Sequence, residues 1–182
     1  MHLAVWSMAW YCPSLVDGKP LSVAHFENSV KLAVFVVKFM EGLAHLHKRS
    51  VLHNNLRPCH ILVKSHENVP VITGFGNACL VSDAYTIPQS RIKEFGEHCL
   101  HSKEVREGKK PLSIATDLHC FGQILSMMRL SDEGRKAGVI HSWISNFSSM
   151  CCSLKKPTDD FLLQHAGELI KLIGSVEPAL LS

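Results

Sequence analysis

Residues Val51 to Val63 read V-L-H-N-N-L-R-P-C-H-I-L-V. The stretch sets His53, Asn54, Asn55, Arg57 and His60 between two short apolar runs, so a polar loop is held at both ends by segments that bury. It follows, after Lys48-Arg49-Ser50, on a segment that reads G-L-A-H-L-H.

Upstream of it, Val30, Ala33, Val34, Val37, Met40 and Ala44 recur at three- and four-residue steps, with Asn28 or Ser29 available as N-cap. The spacing predicts a long amphipathic helix over Asn28 to Lys48. Further upstream, Leu3 to Tyr11 is rich in Val, Trp, Ala and Tyr and reads as a buried strand, ended by Pro13. Asp17-Gly18-Lys19-Pro20 reads as a turn.

Downstream, Ile61 to Val63 and Val69 to Thr73 are β-type runs separated by polar residues, which predicts a small hairpin. Ser82 to Pro111 has mixed polarity and no sustained period, so a loop with short helices is expected. Ile114 to Met128, Val139 to Cys152 and Phe161 to Ile173 carry apolar residues at helical spacing, broken by Gly134, Gly138 and Pro157. The fold class is mainly α with a small β-hairpin.

The chain of 182 residues is 46% hydrophobic and 19% charged, enough to bury the core of one ordinary domain. A net charge of +3, with Lys and Arg scattered and few aromatics beside them, gives no nucleic-acid footprint. The apolar amino-terminal run lacks the basic start and the cleavage site of a secretory signal. The other apolar run, Leu32 to Met40, is far shorter than the roughly 20 residues that span a bilayer. Seven cysteines without paired C-x-x-C spacing read as reduced thiols of an intracellular protein, cytoplasmic or nuclear. His98, Cys99 and His101 cluster, but no second group completes a tetrahedral set, so no metal is expected.

The loop at residues 51–63 resembles the protein-kinase catalytic loop, H-R-D-L-x-x-x-N. Eleven residues past His60 begins V-I-T-G-F-G-N-A, similar to the strand and D-F-G segment of that family. Ser102-Lys103-Glu104 resembles the A-P-E segment, Ala115-Thr116-Asp117-Leu118 with Phe121-Gly122 the buried helix after it, and Lys156-Pro157-Thr158 the later R-P-T. The resemblance implies the large, carboxy-terminal lobe of a divergent serine/threonine-type kinase, with the small lobe largely missing. Within a single partial domain over 1–182, residues 3–21 would be the last small-lobe strand and hinge, 22–173 the large lobe, and 174–182 a tail.

Measured against that pattern, the chemistry is degenerate. Position 55 should be the Asp that accepts the substrate proton, and Asn55 has no basic carboxylate. His60 stands where an Asn holds magnesium, and Gly74 stands where the D-F-G Asp bridges metal and phosphate. Arg57 replaces a Lys, keeping charge but not shape. No G-x-G-x-x-G loop and no V-A-I-K lysine occurs in the chain. No cofactor is therefore expected, and Leu62 would be a remnant of the adenine site.

By the same resemblance, His53 and Phe75 would stack on each other, and Asp117 would bond the loop backbone. Ile124 and Met128 would fill the core, and Glu104 would pair with Lys156. The implied function is that of a pseudokinase: a binding or scaffolding module for a protein partner, such as a separately supplied small lobe or a kinase, with no nucleic acid or membrane involved. The alternative is an incomplete kinase with residual binding of ATP and Mg. A decaying gene copy ranks third, because the core landmarks are mostly intact.

Overall fold

The computed structural model describes residues 18–21, 26–64, 69–88, 99–128 and 138–177. The strand expected at Leu3 to Tyr11 lies outside them. Helix α1, Ser29–Lys48, starts where the extended residue Asn28 accepts the Lys31 N–H at 2.8 Å. His45, His47 and Lys48 occupy its last turn, where positive charge suits the exposed carbonyl dipoles.

α1 is buried on more sides than its three- and four-residue pattern implies. Leu32, Phe35, Val36 and Phe39 are buried beside Val30, Ala33, Val37, Met40 and Ala44, whereas Val34, expected on the buried face, is 37% exposed. Strand β2 (Val51–Leu52), strand β4 (Pro70–Ile72), helix α4 (Val139–Ser153) and helix α5 (Phe161–Val176) all contact α1. Lys38 and Glu41 remain on an exposed strip, joined at 2.9 Å.

The hairpin forms from β3 (Ile61–Lys64) and β4, antiparallel, with Ile61 opposite Ile72 and Leu62 opposite Val71. Gly18–Pro20 departs from the expected turn. It is strand β1, antiparallel to β3, with Gly18 opposite Lys64 and Pro20 opposite Leu62. A Cβ on Gly18 would lie 3.2 Å from the Val63 oxygen and 3.3 Å from the Leu62 Cβ, so a residue that signals a turn here permits close pairing. A second, two-stranded sheet pairs β2 with β5 (Cys79–Leu80).

After short helix α2 (Lys103–Arg106), helix α3 (Ile114–Met127) begins where Thr116 Oγ1 accepts the Ser113 N–H at 2.9 Å. α3 packs along α4, and α5 along α1. A chain of rings ties the four long helices together. Phe35, Phe39, Phe121 and Phe147 stand 6.1, 4.8 and 6.2 Å apart in succession, and Phe161 follows at 5.8 Å. Such edge and offset contacts add about 0.5–1.5 kcal/mol per pair beyond the area they bury.

A smaller cluster of Leu52, Ile87, Val105 and Leu112 anchors the described parts of the loop between β5 and α3. The fold is mainly helical, and no helix among the described residues is long and apolar enough to cross a membrane.

Candidate functional site

α1 delivers the chain through Ser50, a left-handed residue, into β2 and then into the loop at residues 53–60. Beneath that loop lies Asp117, on the first turn of α3 and fully buried. Its carboxylate accepts the backbone N–H groups of His53 and Asn54, each at 2.8 Å, and the His47 Nε2–H at 3.1 Å. One side chain of α3 thus fixes the entry of the loop and the end of α1.

Asn54 is fully buried and left-handed, with φ of 62°, a conformation that Asn tolerates better than most residues. Its Nδ2 donates to the Asn77 oxygen at 3.0 Å and reaches the Cys79 sulfur at 3.2 Å. Its Oδ1 has no partner among the described residues. Turning the amide over would aim that oxygen at the Asn77 carbonyl, so the observed orientation is the better of two imperfect ones.

His53 is fully buried and bonded at both ring nitrogens. Nε2–H donates to the Thr73 carbonyl at 2.7 Å, and Nδ1 accepts the Asn55 N–H at 3.2 Å. Its ring meets Phe75 at 4.8 Å. His101 is nearly as buried: Nε2–H donates to the Asn54 carbonyl at 2.8 Å, and Nδ1 faces the Cys120 sulfur at 3.3 Å. With both its nitrogens engaged, His101 is not poised to bind a metal, and His98 lies outside the described residues.

Desolvation lowers the pKa of both histidines, and on each it outweighs the pull of Asp117 and of the backbone bond in the opposite direction. A lowered imidazole pKa means that the unfolded chain binds more protons than the folded one below the ordinary value of 6.5. The stability is then complete above that pH and is lost as pH falls toward the lowered values. We expect melting temperatures to fall below about pH 6.5, with a limiting slope of about 1.4 kcal/mol per pH unit for each histidine. His101→Gln, which keeps a donor toward Asn54, should flatten the profile; an unchanged slope would exclude His101 as a contributor.

At the loop's centre, Asn55 is buried and its Oδ1 accepts Arg57 Nε–H at 2.8 Å. His60 Nδ1–H donates to the Asn55 carbonyl at 2.8 Å. Gly74 faces this ring in the left-handed region, with φ of 78°. A Cβ on Gly74 would lie 2.5 Å from His60 Cγ, 2.7 Å from Nδ1 and 2.8 Å from Cδ2. The imidazole fills the space that a side chain at position 74 would need.

Asn55, Arg57, His60 and Gly74 therefore come together with His53, Phe75 and Asp117. Leu62 is half-buried on β3, Ile124 is fully buried in the main core, and Met128 packs against that core from the end of α3. Glu104 and Lys156 do not form the expected ion pair; both are exposed. The Glu104 carboxylate is drawn first to its own backbone N–H and then to Ser102, which together hold its pKa down without Lys156.

His47, His101 and Asn77 join the network with no sequence signal of their own, since their partners lie 70, 47 and 23 residues away. The six cysteines among the described residues are free, and burial pushes the Cys151 thiol up to about 12, far from a reactive thiolate. Beside Phe75 an apolar cleft of about 270 Å³ opens between α1 and β4, lined by Phe39, Gly42, Leu46, Val71 and Ile72 with Lys38 at its edge.

No protein-family model matches the chain. It is similar to the MAP kinase kinase kinase wis4 of Schizosaccharomyces pombe, 32% identical over 81 residues, which are 44% of this chain and 6% of that protein. It is also similar to the proto-oncogene serine/threonine-protein kinase mos of Sus scrofa, 27% identical over 128 residues, 70% of this chain and 35% of that one. The chain spans about a third or less of the length of these curated relatives.

Proposed function

We propose, from the likeness to two protein kinases, that this chain is a kinase-like large lobe without phosphotransfer activity, working as a binding or scaffolding module for a protein partner. The observation that carries the reading is the filled position at Gly74. Phosphoryl transfer depends on positioning and on metal ions that neutralise charge. By the resemblance, position 74 would carry one metal-holding side chain and position 60 the other; the His60 ring fills the space that a side chain at 74 would need, which supports the reading.

Asn55 supports the same conclusion. An amide cannot accept the substrate proton, and its oxygen is already occupied by Arg57. The apolar cleft beside Phe75 supports a protein partner, because an open apolar hollow gains by being covered.

Incubation of the purified chain with ATP, Mg²⁺ or Mn²⁺ and a generic protein substrate is expected to give no phosphotransfer. Turnover that Arg57→Ala abolishes would overturn the proposal. ATP with either metal is likewise expected to leave the melting temperature unchanged, whereas a clear rise would support the alternative, an incomplete kinase that keeps a nucleotide pocket.

A further inference from the structure

We propose that His60 is an imidazole strut that locks the loop at residues 53–60 to the turn at Thr73 to Phe75, and that Gly74 is its obligatory partner. The strut rests on this chain's own geometry and needs no assumption about an ancestral activity. His60 bonds at two points. Its carbonyl accepts both the Thr73 N–H at 2.8 Å and the Thr73 hydroxyl at 3.0 Å, while its Nδ1–H reaches across the loop to the Asn55 carbonyl at 2.8 Å.

The same turn is held from the opposite side. His53 Nε2–H donates to the Thr73 carbonyl, and the His53 and His60 rings stand 6.2 Å apart. Thr73 is thereby held between two histidines, its carbonyl bonded by the His53 ring and its N–H and hydroxyl donating to the His60 backbone carbonyl. Loop and turn are joined by direct hydrogen bonds, with no bridging ion required.

The clamp has a steric condition. The His60 ring lies over the Cα of Gly74 so closely that three of its atoms would fall within 2.8 Å of any Cβ built there. These atoms belong to the rigid root of the ring, not to a flexible tip. A side chain at 74 therefore expels the imidazole, and the bond to Asn55 goes with it. The two positions should behave as one coupled pair.

A double-mutant cycle reads that coupling. Gly74→Ala carries a left-handed backbone penalty whatever stands at position 60, so this part cancels between backgrounds. We expect Gly74→Ala to lower the melting temperature by about 5 °C or more beyond its effect in a His60→Ala background. Equal shifts, within about 1 °C, overturn the strut. If Gly74→Ala alone does not fold, folding of the double variant supports the proposal.

If the double variant also fails to fold, imidazole nitrogen NMR of the unaltered chain decides. A His60 ring protonated on Nδ1, with slow solvent exchange, supports the strut. A ring protonated only on Nε2 overturns it. Loss of coupling would leave the kinase-like reading untouched, and phosphotransfer by the unaltered chain would leave the coupling untouched.

Discussion

Replacing Asp117 with Ala is expected to lower stability by about 3–5 kcal/mol, the range for removing one partner of a buried charged network. The carboxylate is fully buried and accepts three hydrogen bonds, from the backbone of His53 and Asn54 and from the His47 ring. Alanine removes every acceptor and leaves two backbone N–H groups buried without a partner, each costing about 1–3 kcal/mol.

For a chain of this size that amounts to about 10 °C in melting temperature, measured by thermal unfolding at about pH 7.5. Asp117→Asn keeps one acceptor oxygen and should lose less. A fall of under about 2 °C for the alanine variant would mean that other groups or water replace the carboxylate, and that the loop does not depend on α3.

Gly122→Ala should also be clearly destabilising, although alanine normally favours a helix by about 1 kcal/mol over glycine. Gly122 lies where α3 meets α4. A Cβ there would stand 2.7 Å from the Ser148 carbonyl oxygen, 2.8 Å from the Cys152 sulfur and 2.9 Å from the Cys151 Cβ. Two of these three atoms are backbone or backbone-attached, so the helices themselves must separate.

Separation also strains the bond from Ser148 Oγ–H to the Gly122 carbonyl, 2.8 Å long. Overpacking of this kind costs about 1–3 kcal/mol, and the strained bond adds about 1 kcal/mol. The net expectation, after the gain in helix propensity, is a loss of about 2 kcal/mol and a melting temperature lower by about 4–8 °C. Ser148→Ala alone should cost about half as much. A Gly122→Ala variant as stable as the unaltered chain would mean that the α3–α4 contact is softer than the geometry indicates.

Long helices were legible in the sequence because each carries a sustained apolar period, and the structure places α1, α3, α4 and α5 within a few residues of the expected bounds. The β3–β4 hairpin was legible from two β-type runs with a polar break between them. Strands β2 and β5, two residues each, carry no period, and β1 was hidden behind turn residues. Their partners, not their composition, make them strands.

The candidate site divides in the same way. The loop and the Gly74 turn could be marked from their resemblance to family motifs, but the collision between His60 and position 74 depends on a left-handed backbone that no pattern announces. Val34 fell on the expected buried face and is partly exposed, because neighbouring elements, not α1 alone, determine which side is covered. The family pattern implies a Glu104–Lys156 pair, yet Glu104 is satisfied within its own turn.

Asp117 also bears on the order of events during folding. Its three bonds reach residues 63, 64 and 70 positions away in the chain. Contacts of such separation form only after a long segment has closed, and the closure entropy must be offset by packing that arrives at the same time. The loop at residues 53–60 cannot acquire its geometry from local preferences while α3 is still undocked. Its ordering should fall late, together with the consolidation of the helical core, and share the cooperativity of that core.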